Sequence, residues 1–148
     1  MSRQKTVRAP REEAWNLVSD PYSLTRWWPR VMRVEGVEGA GEGMRWTKVL
    51  GTAEGRGVRA DFHCTASVEP ERFGWEQDVE GTPFERHLRH YAIEVELRDG
   101  NDGTVVAISA AQTLRGLSRL GSPMMRRGQG SLLNEALDGL ARALSGDG

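Results

Sequence analysis

A chain of 148 residues with 20 basic and 21 acidic side chains carries a formal charge of -1, a balance that disfavours nucleic acid as a partner. The single cysteine, Cys64, excludes an internal disulfide framework, and no uncharged apolar run approaches the ~20 residues that a membrane-spanning helix needs. The start Met1-Ser2-Arg3-Gln4-Lys5 leads into no apolar stretch of signal-peptide type, so a cytoplasmic protein folding as one domain over residues 1–148 is expected. Of the 20 basic residues, 18 are arginine.

Residues 3–8 read as a short strand. Pro10 then opens a helix with Glu12 and Glu13 at its positive end and an apolar stripe of Ala14, Trp15, Leu17 and Val18. Ser19-Asp20-Pro21 ends this helix and caps a second one, closed by Pro29, in which Leu24, Trp27 and Trp28 share a face. From residue 31 to 115 the period changes to two and glycines punctuate the chain, as in an antiparallel meander. Met44 and Trp46 fall on one face, with Lys48 next in the same parity. Val58, Ala60, Phe62, Cys64, Ala66 and Val68 follow, opposite Arg59, Asp61, His63, Thr65 and Ser67. Phe73, Trp75, Gln77 and Val79 continue the inner face, then Tyr91, Ile93, Val95 and Leu97. Both parities are apolar between Thr104 and Leu114; the bulkier set, Val106, Ile108, Ala110, Gln112 and Leu114, is placed inward. A long helix begins near Ser122-Pro123 and runs to about Leu144, with Leu132, Leu133, Ala136, Leu137 and Leu140 at helical spacing. The fold class is therefore α+β: one strand, two short helices, a six-strand meander and a long C-terminal helix on the sheet.

A curved sheet covered on one face by a single helix exposes more apolar surface than that helix can fill, which favours a cavity between them. Gly128 and the adaptable Met124 and Met125 are expected to widen its mouth, although glycine in a helix equally serves a close contact or a kink. The polar residues sharing inward parity are Gln77, His87, Arg89, Tyr91, Gln112 and Lys48. Tyr91 can donate a hydrogen bond, Arg89 can hold a carboxylate, phenolate or enolate oxygen, and His87 can transfer a proton near neutral pH. The indoles of Trp27, Trp28, Trp46 and Trp75, with Phe62, supply apolar and stacking surface, against the alternative that they fill the core. Adjacent His63 and Cys64 point to opposite faces of a strand and cannot form a nucleophile and base dyad. Neither a metal site nor a dinucleotide or phosphate loop matches the spacing, and no cofactor is expected.

The order of elements, together with Ala9-Pro10-Arg11-Glu12-Glu13-Ala14-Trp15, Val18-Ser19-Asp20-Pro21, Leu24-Thr25-Arg26-Trp27-Trp28-Pro29, Val68-Glu69-Pro70, Arg72-Phe73-Gly74-Trp75 and Gly103-Thr104-Val105-Val106, resembles the START-like (SRPBCC) superfamily of polyketide cyclase/dehydrase and lipid-transport proteins. The resemblance implies a helix-grip fold, a seven-stranded antiparallel sheet wrapped around the C-terminal helix, with a deep cavity for hydrophobic molecules. Aromatase/cyclases of that superfamily use an inward arginine on a central strand. This chain has none from Ala60 to Val68, and Arg89 would have to substitute from another strand. Three readings follow. The first is a carrier or sequestering protein for an aromatic polyketide-like or lipid-like molecule. The second is a cyclase or dehydratase working through His87, Arg89 and Tyr91. The third is a protein-interaction module of the Hsp90-activator or ribosome-associated type. The pattern specifies no oligomeric state.

Overall fold

The computed structural model describes residues 1–51, 55, 57–115 and 122–146, the side chains of residues 122–126 excepted. The elements follow the expected order: β1 (Ser2–Val7), α1 (Arg11–Val18), a 3-10 turn (Pro21–Ser23) leading into α2 (Leu24–Trp27), β2 (Val31–Glu38), β3 (Arg45–Gly51), β4 (Gly57–Val68), β5 (Arg72–Gln77), a 3-10 turn (Pro83–Arg86), β6 (Leu88–Gly100), β7 (Gly103–Leu114) and α3 (Ser122–Leu144). The seven strands form one antiparallel sheet in the order β1-β7-β6-β5-β4-β3-β2. β2 to β7 are thus a meander, and β1 joins the far side of β7, with Val7 opposite Thr104.

Local chemistry explains the boundaries. The Asp20 carboxylate accepts from the Tyr22 N–H at 3.0 Å, capping the turn that Pro21 opens. Trp28 is already extended before Pro29, as the residue preceding proline prefers, so α2 stops at Trp27. α3 packs on β1, β7 and α2. Its contact with α2 requires a glycine, because a Cβ on Gly139 would stand 2.3 Å from the Trp27 carbonyl oxygen.

Alternation places the core as expected along most of the sheet: Trp46, Ala60, Phe62, Cys64, Phe73, Trp75, Ile93, Val95, Leu97, Val106, Ile108 and Ala110 are buried against Leu133, Ala136, Leu137 and Leu140 of α3. The five tryptophans, with Phe62 and Phe73, form one continuous set of ring contacts. Each such ring buries ~150–250 Å².

One parity expectation is corrected within β4. Cys64 pairs with Trp75 but Ala66 pairs with Gly74, so one extra residue sits in β4 at this point. A bulge of this kind reverses the faces that follow. Ser67 consequently lies opposite the buried Phe73, on the inner side, while Val68 turns outward and is exposed.

Candidate functional site

The inner face of the sheet opens where β3 and β4 carry a lysine opposite an alanine. Lys48 of β3 stands opposite Ala60 of β4, one step along from the Trp46 and Phe62 pair, which continues to Gln77 of β5. The methyl of Ala60 leaves a void of about 380 Å³, bordered by Trp28, Lys48, Leu50, Val58, Phe62, Phe84, Tyr91, Gln77 and, from α3, Leu132. That volume falls within the range of small-molecule sites, ~300–1,000 Å³. Pro29, Arg30 and Gly51 complete the rim, where the Gly51 N–H donates to the Arg30 carbonyl at 2.9 Å and ties the segment after α2 to the end of β3.

Lys48 dominates the electrostatics of this space. Its side chain follows the inward parity of Trp46, and the residue is 2% exposed. The Nζ lies 4.3 Å from the ring centre of Phe62, 4.8 Å from that of Trp28 and 5.1 Å from that of Trp75. Among the described residues no carboxylate, carbonyl or hydroxyl accepts from it. Burial without a counter-charge disfavours the ammonium and brings the Lys48 pKa down from its ordinary 10.5 to about 7. Around that amine stand two neutral polar groups. Gln129 of α3 donates through Nε2 to the Tyr91 hydroxyl at 3.2 Å, and burial raises the Tyr91 pKa more than this bond lowers it, so the phenol keeps its proton. The Gln77 amide nitrogen is buried and finds no acceptor among the described residues.

The structure brings together Trp28, Phe62, Gln77 and Tyr91 of the expected site residues. It places Trp27, Trp46 and Trp75 elsewhere: all three are buried in the core, with Trp75 fully enclosed at 0% exposure. Trp75 meets the site only beneath the Lys48 ammonium. His87 follows the Pro83–Arg86 turn, before β6 begins, and is exposed. Arg89 occupies a bulge, since pairing passes from Leu88 and Leu114 directly to His90 and Thr113. The inserted residue turns its side chain to water, so the expected inward arginine is lost from the cavity. Gln112, two residues beyond the buried Ala110, is also exposed. Gly128 is exposed, a Cβ there would meet nothing within 4 Å among the described residues, and it is not among the residues bordering this void. The side chains of Met124 and Met125 lie outside the described residues. Sequence reasoning missed Arg30, Leu50, Val58, Phe84 and Leu132. Val58 and Leu132 carried the signal in their periodicity, whereas the inward turn of Phe84 depends on the 3-10 segment before β6.

His63 faces away from Cys64, as expected, and its Nδ1 lies 2.7 Å from Asp78 on the outer face, where Arg45 also reaches Asp78 at 2.8 Å. Among the described residues there is no cluster of three or more histidine, cysteine or acidic side chains suited to a metal ion. No helix among them is long and apolar enough to cross a membrane.

Residues 1–145 match the family model described as polyketide cyclase / dehydrase and lipid transport. The chain belongs to that family. Solved structures similar to this family member include TTHA0849 from Thermus thermophilus, with 19% identity over 99% of this chain and 97% of that one at a TM-score of 0.79. A START superfamily protein from Mycobacterium smegmatis shares 13% identity over 98% of this chain and 96% of its own, at a TM-score of 0.76. The di-domain ARO/CYC StfQ of the steffimycin biosynthetic pathway shares 14% identity over 97% of this chain, at a TM-score of 0.78. The family member spans 50% of that di-domain's length. No curated protein matches the sequence. At these identities the structures establish the helix-grip architecture, and the family suggests a small hydrophobic ligand.

Proposed function

We propose that this protein binds a small hydrophobic molecule, aromatic and polyketide-like or lipid-like, in the void between β3–β6 and α3, as a carrier or sequestering protein. The observation that carries the reading is the void itself: about 380 Å³ walled by Trp28, Leu50, Val58, Ala60, Phe62, Phe84 and Leu132, with polar groups confined to Lys48, Gln77, Tyr91 and the rim. Apolar walls supply affinity by removing surface from water, and a few polar groups orient one end of the guest. Among the described residues the large apolar side chains most exposed to water, Met1, Tyr22, Met32 and Val68, are scattered over different elements, which argues against the protein-interaction reading.

A cyclase or dehydratase remains as a second reading because of Lys48. A buried amine with a pKa near 7 can remove a proton next to a ketone at neutral pH, a role that exposed His87 and Arg89 cannot fill from outside the cavity. Titration of ¹⁵N-labelled protein with 2-methoxynaphthalene, an aromatic probe without a carbonyl, tests the binding site. The expected result is saturable one-site shifts centred on the Trp28 indole and the amides of Ala60 and Leu132, lost in Ala60→Phe. Absence of any saturable shift in the folded protein overturns the cavity reading.

A further inference from the structure

Two lysines occur in this chain, against 18 arginines. Lys5 is an ordinary surface residue paired with Asp138 at 2.9 Å, both side chains about half exposed. Lys48 is the opposite case: enclosed, bordered by a void, and with no anion among the described residues to hold its charge. An amine so placed is a poor ion-pairing group, because an incoming carboxylate would have to be stripped of water along with the ammonium. It is well placed as a nucleophile, for which the neutral form is required.

We propose that Lys48 captures the aldehyde or ketone group of the hydrophobic guest as an imine, which makes carbonyl compounds the ligand class of this cavity. The inference rests on the binding reading above and adds the covalent step. The nitrogen lone pair of Lys48 adds to the carbonyl carbon, forming a C–N bond. The amine then gives up its two protons and the former carbonyl oxygen leaves with them as water. The product is a C=N bond to Nζ, reached without oxidation or reduction and reversible by the same water. Tyr91 borders the same void with its hydroxyl oxygen already accepting from Gln129, so its own proton is available to donate to the carbonyl or carbinolamine oxygen. Gln77 supplies a second donor, its amide nitrogen lacking an acceptor among the described residues. Rings of Trp28, Phe62 and Trp75 around Nζ favour the cationic, protonated imine in the way they favour any cation over an aromatic face. Arg30 at the rim and Tyr91 are the other ionisable groups facing the void among the described residues; Leu132 is the contribution of α3.

The experiment uses the intact protein, 2-naphthaldehyde and sodium cyanoborohydride at pH 7, with intact-mass analysis and peptide mapping of the reduced adduct. The chain offers three amines, Lys48, Lys5 and the N-terminus, which separate cleanly on mapping. An ordinary lysine is neutral in roughly one molecule in a thousand or fewer at pH 7, so Lys48 is expected to label at least about tenfold faster than Lys5. Labelling of Lys48 should fall when 2-methoxynaphthalene occupies the void, and should decline between pH 7 and pH 5 as the amine is protonated. Lys48 left unlabelled, labelled no faster than Lys5, or labelled without competition by 2-methoxynaphthalene would overturn the proposal. If 2-methoxynaphthalene binds but no Lys48 adduct forms, the cavity reading stands and the imine falls. If neither naphthalene binds, both fall.

Discussion

Replacing Lys48 by methionine tests the electrostatics of the site through folding stability. The lysine pKa is about 7 in the native protein and 10.5 when exposed, with burial as the cause. Between those values the unfolded chain binds more protons than the native one, so native stability rises with pH across this window. Below pH 7 the native state carries the whole cost of an enclosed ammonium, and above 10.5 that cost is absent. At ~1.36 kcal/mol per pH unit the full difference is about 5 kcal/mol. Attraction of the ammonium to the faces of Trp28, Phe62 and Trp75 works the other way by ~0.5–2 kcal/mol, which leaves ~3–5 kcal/mol. Methionine fills a similar volume without a charge and removes the proton linkage.

Urea unfolding followed by tryptophan fluorescence at pH 6, 7, 8, 9 and 10 reads this difference directly. Lys48→Met is expected to exceed the wild type by ~3–5 kcal/mol at pH 6, with the gap closing by up to ~1.4 kcal/mol per pH unit above 7. Other groups that titrate in this range are common to both proteins and cancel in the difference. A gap that stays constant from pH 6 to 10 would refute the reasoning, because it would mean that the native ammonium is as well solvated as the unfolded one. Labelling lysine at ¹³Cε provides an independent measure, since only Lys5 and Lys48 contribute signals.

Two contrasts in α3 and β4 follow from packing. Gly139→Ala places a Cβ 2.3 Å from the backbone oxygen of Trp27, so α2 and α3 must separate, and urea unfolding should show a loss of ~2–4 kcal/mol. Gly128→Ala, exposed and unobstructed among the described residues, should instead gain up to ~1 kcal/mol from helix propensity. Cys64 is buried, its thiol donates to the Ala66 carbonyl at 3.3 Å, and burial pushes its pKa up. It should remain inert to 5,5′-dithiobis(2-nitrobenzoate) in the native protein and react on unfolding; rapid native reaction would contradict the packing of β4.

The order of elements and most inward-facing residues were legible because strand alternation and helical spacing are local. Trp46, Phe62, Trp75, Ile93 and Ile108 all face inward as their parity requires. The errors concentrate where one extra residue enters a strand. Neither the β4 bulge before Ala66 nor the β6 bulge at Arg89 is marked by glycine or proline, yet each reverses a face: one brings Ser67 inward, the other sends Arg89 to water. Distinguishing cavity wall from solid core was also beyond local pattern. Trp28 borders the void and Trp75 does not, although both lie in one cluster of ring contacts.

The predominance of arginine gives the lysine at position 48 its meaning. A guanidinium keeps its charge throughout the accessible pH range and brings five N–H donors that would all need acceptors. The described walls around Lys48 are three aromatic rings and aliphatic side chains, with only Gln77 and Tyr91 as neutral polar neighbours. Arginine could enter this space only as a permanently charged, unsatisfied group. Lysine can shed its proton, and by doing so it removes the largest electrostatic penalty of its own burial. The same loss of charge that makes the residue tolerable in the fold leaves a free amine facing a void of about 380 Å³. Stability and chemistry therefore respond to one variable, the protonation of Nζ. Conditions that drive Lys48 towards the ammonium should weaken the fold and silence the nucleophile together.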